Sequence, residues 1–241
     1  MSNNTYQIDI TFWSERCRDH CMILFILLDE SQADDLKQQC YQSFQNWNTY
    51  LKHQTSTTLS DLVFNLWKLK HDVLQEAQIH DINLVLDPTD FISLIVHMIE
   101  ELDYFVKLLM HELTLETEFL FWKQEDIEHT TLAGHLIPLL DLGAKKTHKL
   151  QTDGKKLIQR MKKAHDPHTF LPLYKLSGKA AKDLDQLIPK TPFDPMSEPM
   201  VMRLNDDIEN DDPAAIDELI HLMIEHEIKE GTHGQYRLKN M

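Results

Sequence analysis

Glycine and cysteine are both scarce in this chain. It has six glycines and three cysteines in 241 residues, while 42% of its residues are hydrophobic. A turn-rich β protein needs more glycine than this, so the composition favours long helices. Three cysteines are an odd number without the paired spacing of a zinc ribbon. Cys17 and Cys21 are one helical turn apart, so a thiolate ligand is conceivable, but we expect buried free thiols in a reducing cytoplasm.

The sequence also lacks long apolar runs and a basic stripe. Its longest apolar run, from Cys21 to Leu28, is eight residues, which is too short to span a bilayer. The segment 1–6 has no basic residues of the kind that begin a secretory signal. The formal net charge is −15, which would repel nucleic acid and anionic membrane surfaces. We therefore expect a soluble cytoplasmic protein that binds neither nucleic acid nor membrane.

One pattern occurs twice. Phe12 and Trp13 precede His20 at the same spacing at which Phe121 and Trp122 precede His129. If each copy is helical, residues three, four and seven positions away share the face of the histidine. That face is mostly apolar in both copies. A single inward histidine is usually a hydrogen-bonded core residue, but two in one frame favour a duplicated functional unit.

A second pattern also occurs once in each half of the chain. His97 and Glu101 form a His-x3-Glu pair, and His226 and Glu230 form another. Residues four apart lie one helical turn apart, so both side chains can reach one ion. His221 and Glu225 have the same spacing. We prefer His226 because apolar residues share its face.

Periodic apolar spacing predicts an all-α fold with eight helices. We expect duplicated up-and-down four-helix bundles of ferritin-like architecture, with repeats at 1–115 and 116–241. A polar connector, 55–58, separates helices two and three. Four prolines interrupt the segment 188–212, which we predict to be an exposed excursion outside the core. Thr58 or Ser60 can cap the third predicted helix, which runs to about 80. The other predicted helices span about 9–28, 32–53, 89–113, 116–140, 145–164 and 169–187, and a last helix begins near 213.

These residues resemble the bacillus metalloprotein-like family. The resemblance rests on the two Phe-Trp-x6-His helices, on Leu-Leu-Asp at 27–29 and 139–141, and on the His-Met-x2-Glu helix at 97–101. It covers about 9–235, although the second half has a longer gap before Leu-Leu-Asp and the added excursion. The resemblance implies a duplicated helical bundle of unknown physiological role. It also implies metal ligands at His20, His97, Glu101, His129, His226 and Glu230.

The residues themselves indicate the same six ligands. Two imidazoles and one carboxylate in each half form a facial set that suits Fe(II), Mn or Zn, with positions left for water or a small ligand. Burying these groups without partners would be costly, and either coordination or His–Glu hydrogen bonds would compensate. Asp9 and Glu118 each lie about three helical turns before the histidine of their helix, too far for the same ion. We expect them to be acids that favour a helix N-terminus.

The two halves could share one centre. Leu115 lies midway between Glu101 and His129 in the sequence, so a helical hairpin there would place these two residues at the same height. Helices one, four, five and eight would then form a central bundle with two ions about 3.5–4 Å apart. We expect this shared centre, with two separate sites as the alternative.

The sequence predicts a metal-binding bundle without defining a reaction. It contains no Gly-rich phosphate loop and no Ser-His-Asp frame, and whether the protein is an enzyme stays open. The alternative function is a helical interaction protein with structural core histidines. Metal identity, substrate, oligomeric state and protein partners cannot be derived from the sequence.

Overall fold

Residues 3–53, 59–189, 193–194 and 197–239 are described by a computed structural model, and this part of the chain is all-α as predicted. A short 3₁₀ turn, Ile137–Leu139, and an isolated bridge between Leu28 and Asn83 accompany the α-helices. In the described residues, none of the helices is long and apolar enough to cross a membrane. The nine α-helices found there are α1 (Asn3–Leu27), α2 (Glu30–His53), α3 (Leu59–Ala77), α4 (Pro88–Leu109), α5 (Leu115–Leu136), α6 (Ala144–Lys162), α7 (Pro167–Asp185), α8 (Glu198–Glu209) and α9 (Pro213–Lys239).

Local signals in the sequence explain where several helices begin and end. The Asp87 side chain accepts from the Thr89 N–H at 2.9 Å, and Pro88 occupies the first helical position of α4 as expected. Thr114 forms a capping box with Thr117 at the start of α5. α5 ends immediately before the 3₁₀ turn that contains Pro138. The predicted connector at 55–58 lies outside the described residues.

The chain forms two compact units. Unit 1 consists of Met1–Glu112 and Pro192–Ala215, and unit 2 consists of Leu113–Thr191 and Ile216–Met241. The first segment of unit 1 ends at Glu112. The segment 192–215, however, belongs to unit 1, whereas we predicted from the sequence that it lies in the second repeat.

Unit 1 has an aromatic-rich core. α1 packs against α2, α4 and α8, while α3 packs against α2 and α4. Trp13 is buried, and its ring lies 5.3 Å from that of Tyr104 on α4. α2 buries Phe44, Trp47 and Tyr50 among its core residues. Large rings therefore fill much of the space beside α1.

The prediction that 188–212 is an excursion outside the core is wrong. α8, a helix beyond the eight predicted, lies within this segment and buries Val201, Leu204 and Ile208, which follow the 3–4 spacing of an amphipathic helix. Its last residue, Glu209, pairs with the buried Lys37 on α2 at 2.7 Å. Two of the four prolines, at positions 192 and 195, lie outside the described residues. α8 is therefore part of the hydrophobic core of unit 1.

Unit 2 has a thinner core beside α5. α5 packs against α6 and α7, and α6 packs against α7. α6 buries only Leu157 and Met161 among its described residues. The part of α9 from Ile216 onward also belongs to this unit. There the rings of Trp122 on α5 and His233 on α9 lie 5.9 Å apart. The side of α5 that faces α6 therefore meets few large apolar side chains.

Candidate metal centre

Unit 1 brings its three predicted ligands together. His20 lies on α1, and His97 and Glu101 lie one turn apart on α4. The Nε2 atom of His20 is 2.7 Å from one Glu101 oxygen, and the Nε2 atom of His97 is 3.0 Å from the other. All three side chains are buried. One carboxylate therefore lies between two imidazoles, with every potential ligand atom inside the bundle.

A lysine completes this arrangement on the far side of His20. The Lys70 ammonium on α3 is fully buried, lies 2.9 Å from His20 Nδ1 and donates to the Met98 carbonyl. An ammonium has no acceptor, so it donates to Nδ1 when charged and leaves the imidazole proton on Nε2. In that tautomer His20 presents an N–H group to Glu101 and has no lone pair on Nε2 for a metal. A neutral Lys70 amine allows the other tautomer.

Two arginines of α1 contact the acidic residue that precedes His20. Asp19, the acid before His20, pairs with Arg16 at 2.9 Å and accepts from Arg18. All three side chains are buried. Asp19 is therefore neutralised by two guanidinium groups, a network that the sequence pattern did not predict.

Unit 2 repeats the same arrangement. His129 lies on α5, and His226 and Glu230 lie one turn apart on α9. The Nε2 atoms of His129 and His226 are 3.0 and 3.1 Å from the two Glu230 oxygens. All three side chains are buried. Each unit thus contains one carboxylate between two imidazoles, which we call the His–Glu–His group of that unit.

A second carboxylate joins the group of unit 2. Glu125 lies one turn before His129 on α5, and its carboxylate is 3.8 Å from His129 Nε2. Ligand atoms of Glu125, His129 and Glu230 all lie within 4.8 Å of one another. When the two Phe-Trp-x6-His patterns are aligned, Glu125 corresponds to Arg16. Unit 2 therefore offers two carboxylates and two imidazoles, where unit 1 has an arginine at the matching position.

The alternative His-x3-Glu pair, His221 and Glu225 in the middle of α9, makes other contacts. His221 Nδ1 lies 2.7 Å from an Asp185 oxygen on α7. Glu225 is half exposed, and its Oε1 atom lies 3.6 Å from Lys229 Nζ. These contacts place the His221 side chain against α7 and leave His226 as the histidine beside Glu230.

Asp126 is a buried carboxyl group beside this site. Burial raises the pKa of Asp126 from 3.8 to about 7, while a hydrogen bond with Ser177 and the nearby His129 lower it. The hydroxyl groups of Ser177 and Thr130 lie 3.0 Å apart. The protonated and ionised forms of Asp126 are therefore both accessible near neutral pH.

The two acids expected at helix starts differ from each other. α1 begins at Asn3, so Asp9 is not in its first turn, and it is buried. Glu118 is in the first turn of α5, as expected, but it is also buried and accepts from Arg237 on α9. The expectation for Asp9 is wrong because the helix begins earlier than its apolar pattern does.

The cysteines are buried free thiols in this structure. Cys17, Cys21 and Cys40 form no disulfide. Burial raises the pKa of Cys17 well above its usual range and that of Cys21 to about 12. Thiols that resist ionisation are poor metal ligands, because the thiolate is the form that binds metal. This disfavours the cysteine ligand considered from the sequence.

The distances in both groups fit coordination of a small divalent ion. Metal bonds to His nitrogen and carboxylate oxygen are about 2.0–2.2 Å, so ligands at right angles around one ion lie about 3 Å apart. The four imidazole–carboxylate distances, 2.7, 3.0, 3.0 and 3.1 Å, are in this range. The same distances suit hydrogen bonds between histidine and carboxylate. The geometry therefore defines groups that could hold a metal, and metal binding stays a prediction.

Sequence reasoning missed two residues that contact these groups. Glu125 precedes His129 by four residues, so a search for Glu-x3-His as well as His-x3-Glu would have found it. Lys70 is 50 residues from His20 in the sequence. It lies on α3, whose pattern of apolar and polar residues is otherwise that of an ordinary amphipathic helix. No local signal indicates its contact.

Comparison of the chain with family models, curated proteins and solved structures finds no match. The described chain is an all-α protein with buried His/Glu groups that could hold a metal ion.

Proposed function

We propose that the protein binds divalent transition metal, with Fe, Mn or Zn as the candidates, through its two His–Glu–His groups. The observation that carries this proposal is that both units place one buried carboxylate between two imidazole Nε2 atoms at the separation expected of two ligands of one ion. Nitrogen and oxygen donors of this kind suit these three metals. The resemblance to the bacillus metalloprotein-like family agrees with this function and is itself part of the proposal.

Unit 2 is the stronger of the two sites in this proposal. It has Glu125 in addition to Glu230, so its donor set carries two negative charges. Unit 1 has Glu101 as its ligand carboxylate, and the Lys70 ammonium lies against His20. A nearby cation disfavours a bound dication electrostatically and also holds the unsuitable tautomer of His20. We therefore expect unit 2 to bind metal more tightly than unit 1.

A structural role for the histidines is the second candidate function. Lys70 favours it specifically, because Lys70, His20 and Glu101 can form a continuous chain of hydrogen bonds without a metal. In that case the protein is a helical interaction protein whose polar groups specify the core. The two candidates differ in whether the wild-type protein retains metal.

Metal content per chain is the decisive measurement. Protein purified without a His tag is exposed in turn to Fe(II), Mn(II) and Zn(II), desalted and analysed by mass spectrometry. We expect His226→Ala to remove most of the tightly bound metal and His97→Ala to remove a weaker fraction. His148→Ala in unit 2 and His80→Ala in unit 1 replace exposed histidines and should retain metal. Circular dichroism should show helix content close to wild type, because each variant truncates one buried side chain and leaves the rest of the core in place.

The pattern of loss also tests the expectation of a shared centre. Separate losses from His20→Ala and His129→Ala would favour two independent sites, whereas loss of all metal from either variant would favour one centre. Binding should weaken as pH falls through the histidine range near 6.5, because the ligands must be deprotonated. A wild type that retains none of the three metals would overturn the proposal in favour of the structural role.

A further inference from the structure

Unit 2 contains a cavity of about 510 Å³ beside α5. It lies among α5, α6, α7 and α9, and its walls include Ala133, Gly134, Gly154 and Leu157. This volume is within the range of about 300–1,000 Å³ that is typical of small-molecule sites. The cavity is therefore large enough for an organic ligand.

Small residues of α5 leave this space open. Ala133 and Gly134 line the cavity, and a Cβ atom added at Gly134 would meet nothing within 4 Å. In the alignment of the two Phe-Trp-x6-His patterns, the matching residues of α1 are Leu24 and Phe25, which are both buried in unit 1. α6 contributes little bulk from the opposite side. The cavity thus lies beside the positions of α5 where unit 2 has Ala133 and Gly134, and where the matching positions of α1 have Leu24 and Phe25.

A buried carboxyl group provides an independent sign of a ligand. Asp126 lines the cavity, is 5% exposed, and its Oδ2 atom has no hydrogen-bond partner among the described residues. Glu227, a second buried carboxyl group, also lines the cavity. The basic residues of the wall, Lys149, Lys156 and Arg160, have exposed side chains. Apart from His129, the buried ionisable groups of this cavity are therefore acidic, and a cationic hydrogen-bond donor complements them.

We propose that this cavity binds a small organic primary amine, whose ammonium group donates to Asp126 and whose hydrocarbon body lies against the apolar wall. An ammonium beside a buried carboxylate forms a charge-assisted hydrogen bond, which is stronger than a neutral one. The apolar body gains from burial against Leu157 and Leu184. His129 of the His–Glu–His group also lines the cavity, but the inference does not rest on metal binding, because the ammonium contacts Asp126 and the hydrocarbon body contacts the apolar wall.

Isothermal titration calorimetry of the full chain tests this inference with two matched probes. The probes are 4-phenylbutylamine and 4-phenylbutan-1-ol, measured at pH 8 with EDTA so that no metal contributes. We expect the amine to bind with a Kd below about 1 mM and about tenfold more tightly than the alcohol, in line with a charge-assisted bond. Equal affinity for both probes, or no binding of the amine, would overturn the proposal.

A variant of the carboxyl group tests its role directly. Asp126→Asn preserves the shape and removes the negative charge, so it should weaken the amine about tenfold and change the alcohol much less. Glu128→Gln changes a carboxyl group of the same helix that does not line the cavity, and it should leave both affinities unchanged. Equal weakening by the two variants would contradict recognition by Asp126.

Filling the cavity from α6 provides a second test. Gly154→Leu places a side chain inside, where a Cβ atom would make an ordinary 3.8 Å contact with Thr130. Leucine also has a higher helix propensity than glycine, so the variant should fold. It should abolish binding of both probes, whereas Thr131→Leu, on an exposed position of α5, should not. Undiminished binding by a folded Gly154→Leu would exclude this cavity as the site.

Discussion

At the scale of single residues, the two His–Glu–His groups differ mainly in the charges beside them. Lys70 lies against His20 in unit 1, whereas Glu125 lies near His129 in unit 2. Both neighbours are buried, where charges interact more strongly than at a solvated surface. Similar ligand geometry therefore does not imply similar affinity for a cation.

Replacing Lys70 should convert unit 1 into a better metal site. Lys70→Gln removes the cation and provides a carbonyl oxygen that can accept from His20 Nδ1–H, which leaves Nε2 open to a metal. In a His226→Ala background, we expect the zinc affinity of unit 1 to rise about tenfold. Competition with a chromogenic chelator measures this change. Lys68→Gln, on an exposed position of α3, is the control, and a gain no larger than that control would disprove the role of Lys70.

Asp126 should make stability depend on pH. Its pKa is raised to about 7 in the folded protein, mainly by burial, from an ordinary value of 3.8. Between these values the folded state binds more protons than the unfolded state, so the free energy of unfolding falls as pH rises. This contribution is present below about pH 4 and is lost above about pH 7.

Asp126→Asn should remove that dependence. The neutral amide avoids burying a charge, so at pH 8 the variant should be more stable than wild type by about 1–3 kcal/mol, with a smaller difference at pH 5. Urea denaturation with EDTA at the two pH values checks this. Asp183→Asn is a control at an exposed position of α7. Parallel pH profiles for wild type and Asp126→Asn would show that the carboxyl group is not destabilised by burial.

At the scale of elements, the segment that departs most from expectation is α8. The proline in its first turn, the prolines before it and its acidic residues obscured the spacing of Val201, Leu204 and Ile208, although that spacing is visible in the sequence. Pro199 lies at the start of the helix, where proline is tolerated because the first N–H groups have no intrahelical partner. Proline therefore marks a helix start here, where the sequence-based interpretation was a loop.

Truncating the buried face of α8 should destabilise unit 1. Leu204 is fully buried, so Leu204→Ala should lower the free energy of unfolding by about 2–4 kcal/mol through lost burial and a residual cavity. Met202→Ala on the same helix is a control, because Met202 is 37% exposed and its loss should matter much less. Chemical denaturation followed by circular dichroism measures both. Equal effects of the two substitutions would mean that α8 does not pack as described.

Most helices could be predicted from the sequence because their apolar residues recur at helical spacing. The starts of α4 and α9 agree with prediction to within a residue, and Pro88 and Pro213 mark them. The six inward-facing candidates were also predictable, and the structure brings three of them together in each unit. Glu125 and Lys70 were missed, because a contact such as Lys70 with His20 depends on how distant helices pack. Local periodicity has no information about that packing.

At the scale of the whole molecule, excess negative charge should oppose folding. The formal net charge is −15, so compaction brings many like charges together. Raising NaCl from about 20 to 300 mM shortens the screening length from roughly 20 to 6 Å and should raise Tm by a few degrees. Differential scanning calorimetry checks this at constant pH. KCl should raise Tm by a similar amount. A Tm that falls with both salts would show that charge repulsion does not limit the stability of the fold.

The path of the chain through the two units has a consequence for biosynthesis. Because α8 belongs to unit 1, the chain passes from unit 1 to unit 2, returns at Pro192, and leaves again after Ala215. A ribosome must therefore synthesise all of α5, α6 and α7 before the first unit can acquire its last helix. Until then, the face of α1 that α8 covers lacks its partner. Synthesis of unit 1 therefore begins first, but unit 1 cannot be completed until α5, α6 and α7 of unit 2 have been synthesised. A nascent chain that stops at Glu112 is an incomplete folding unit.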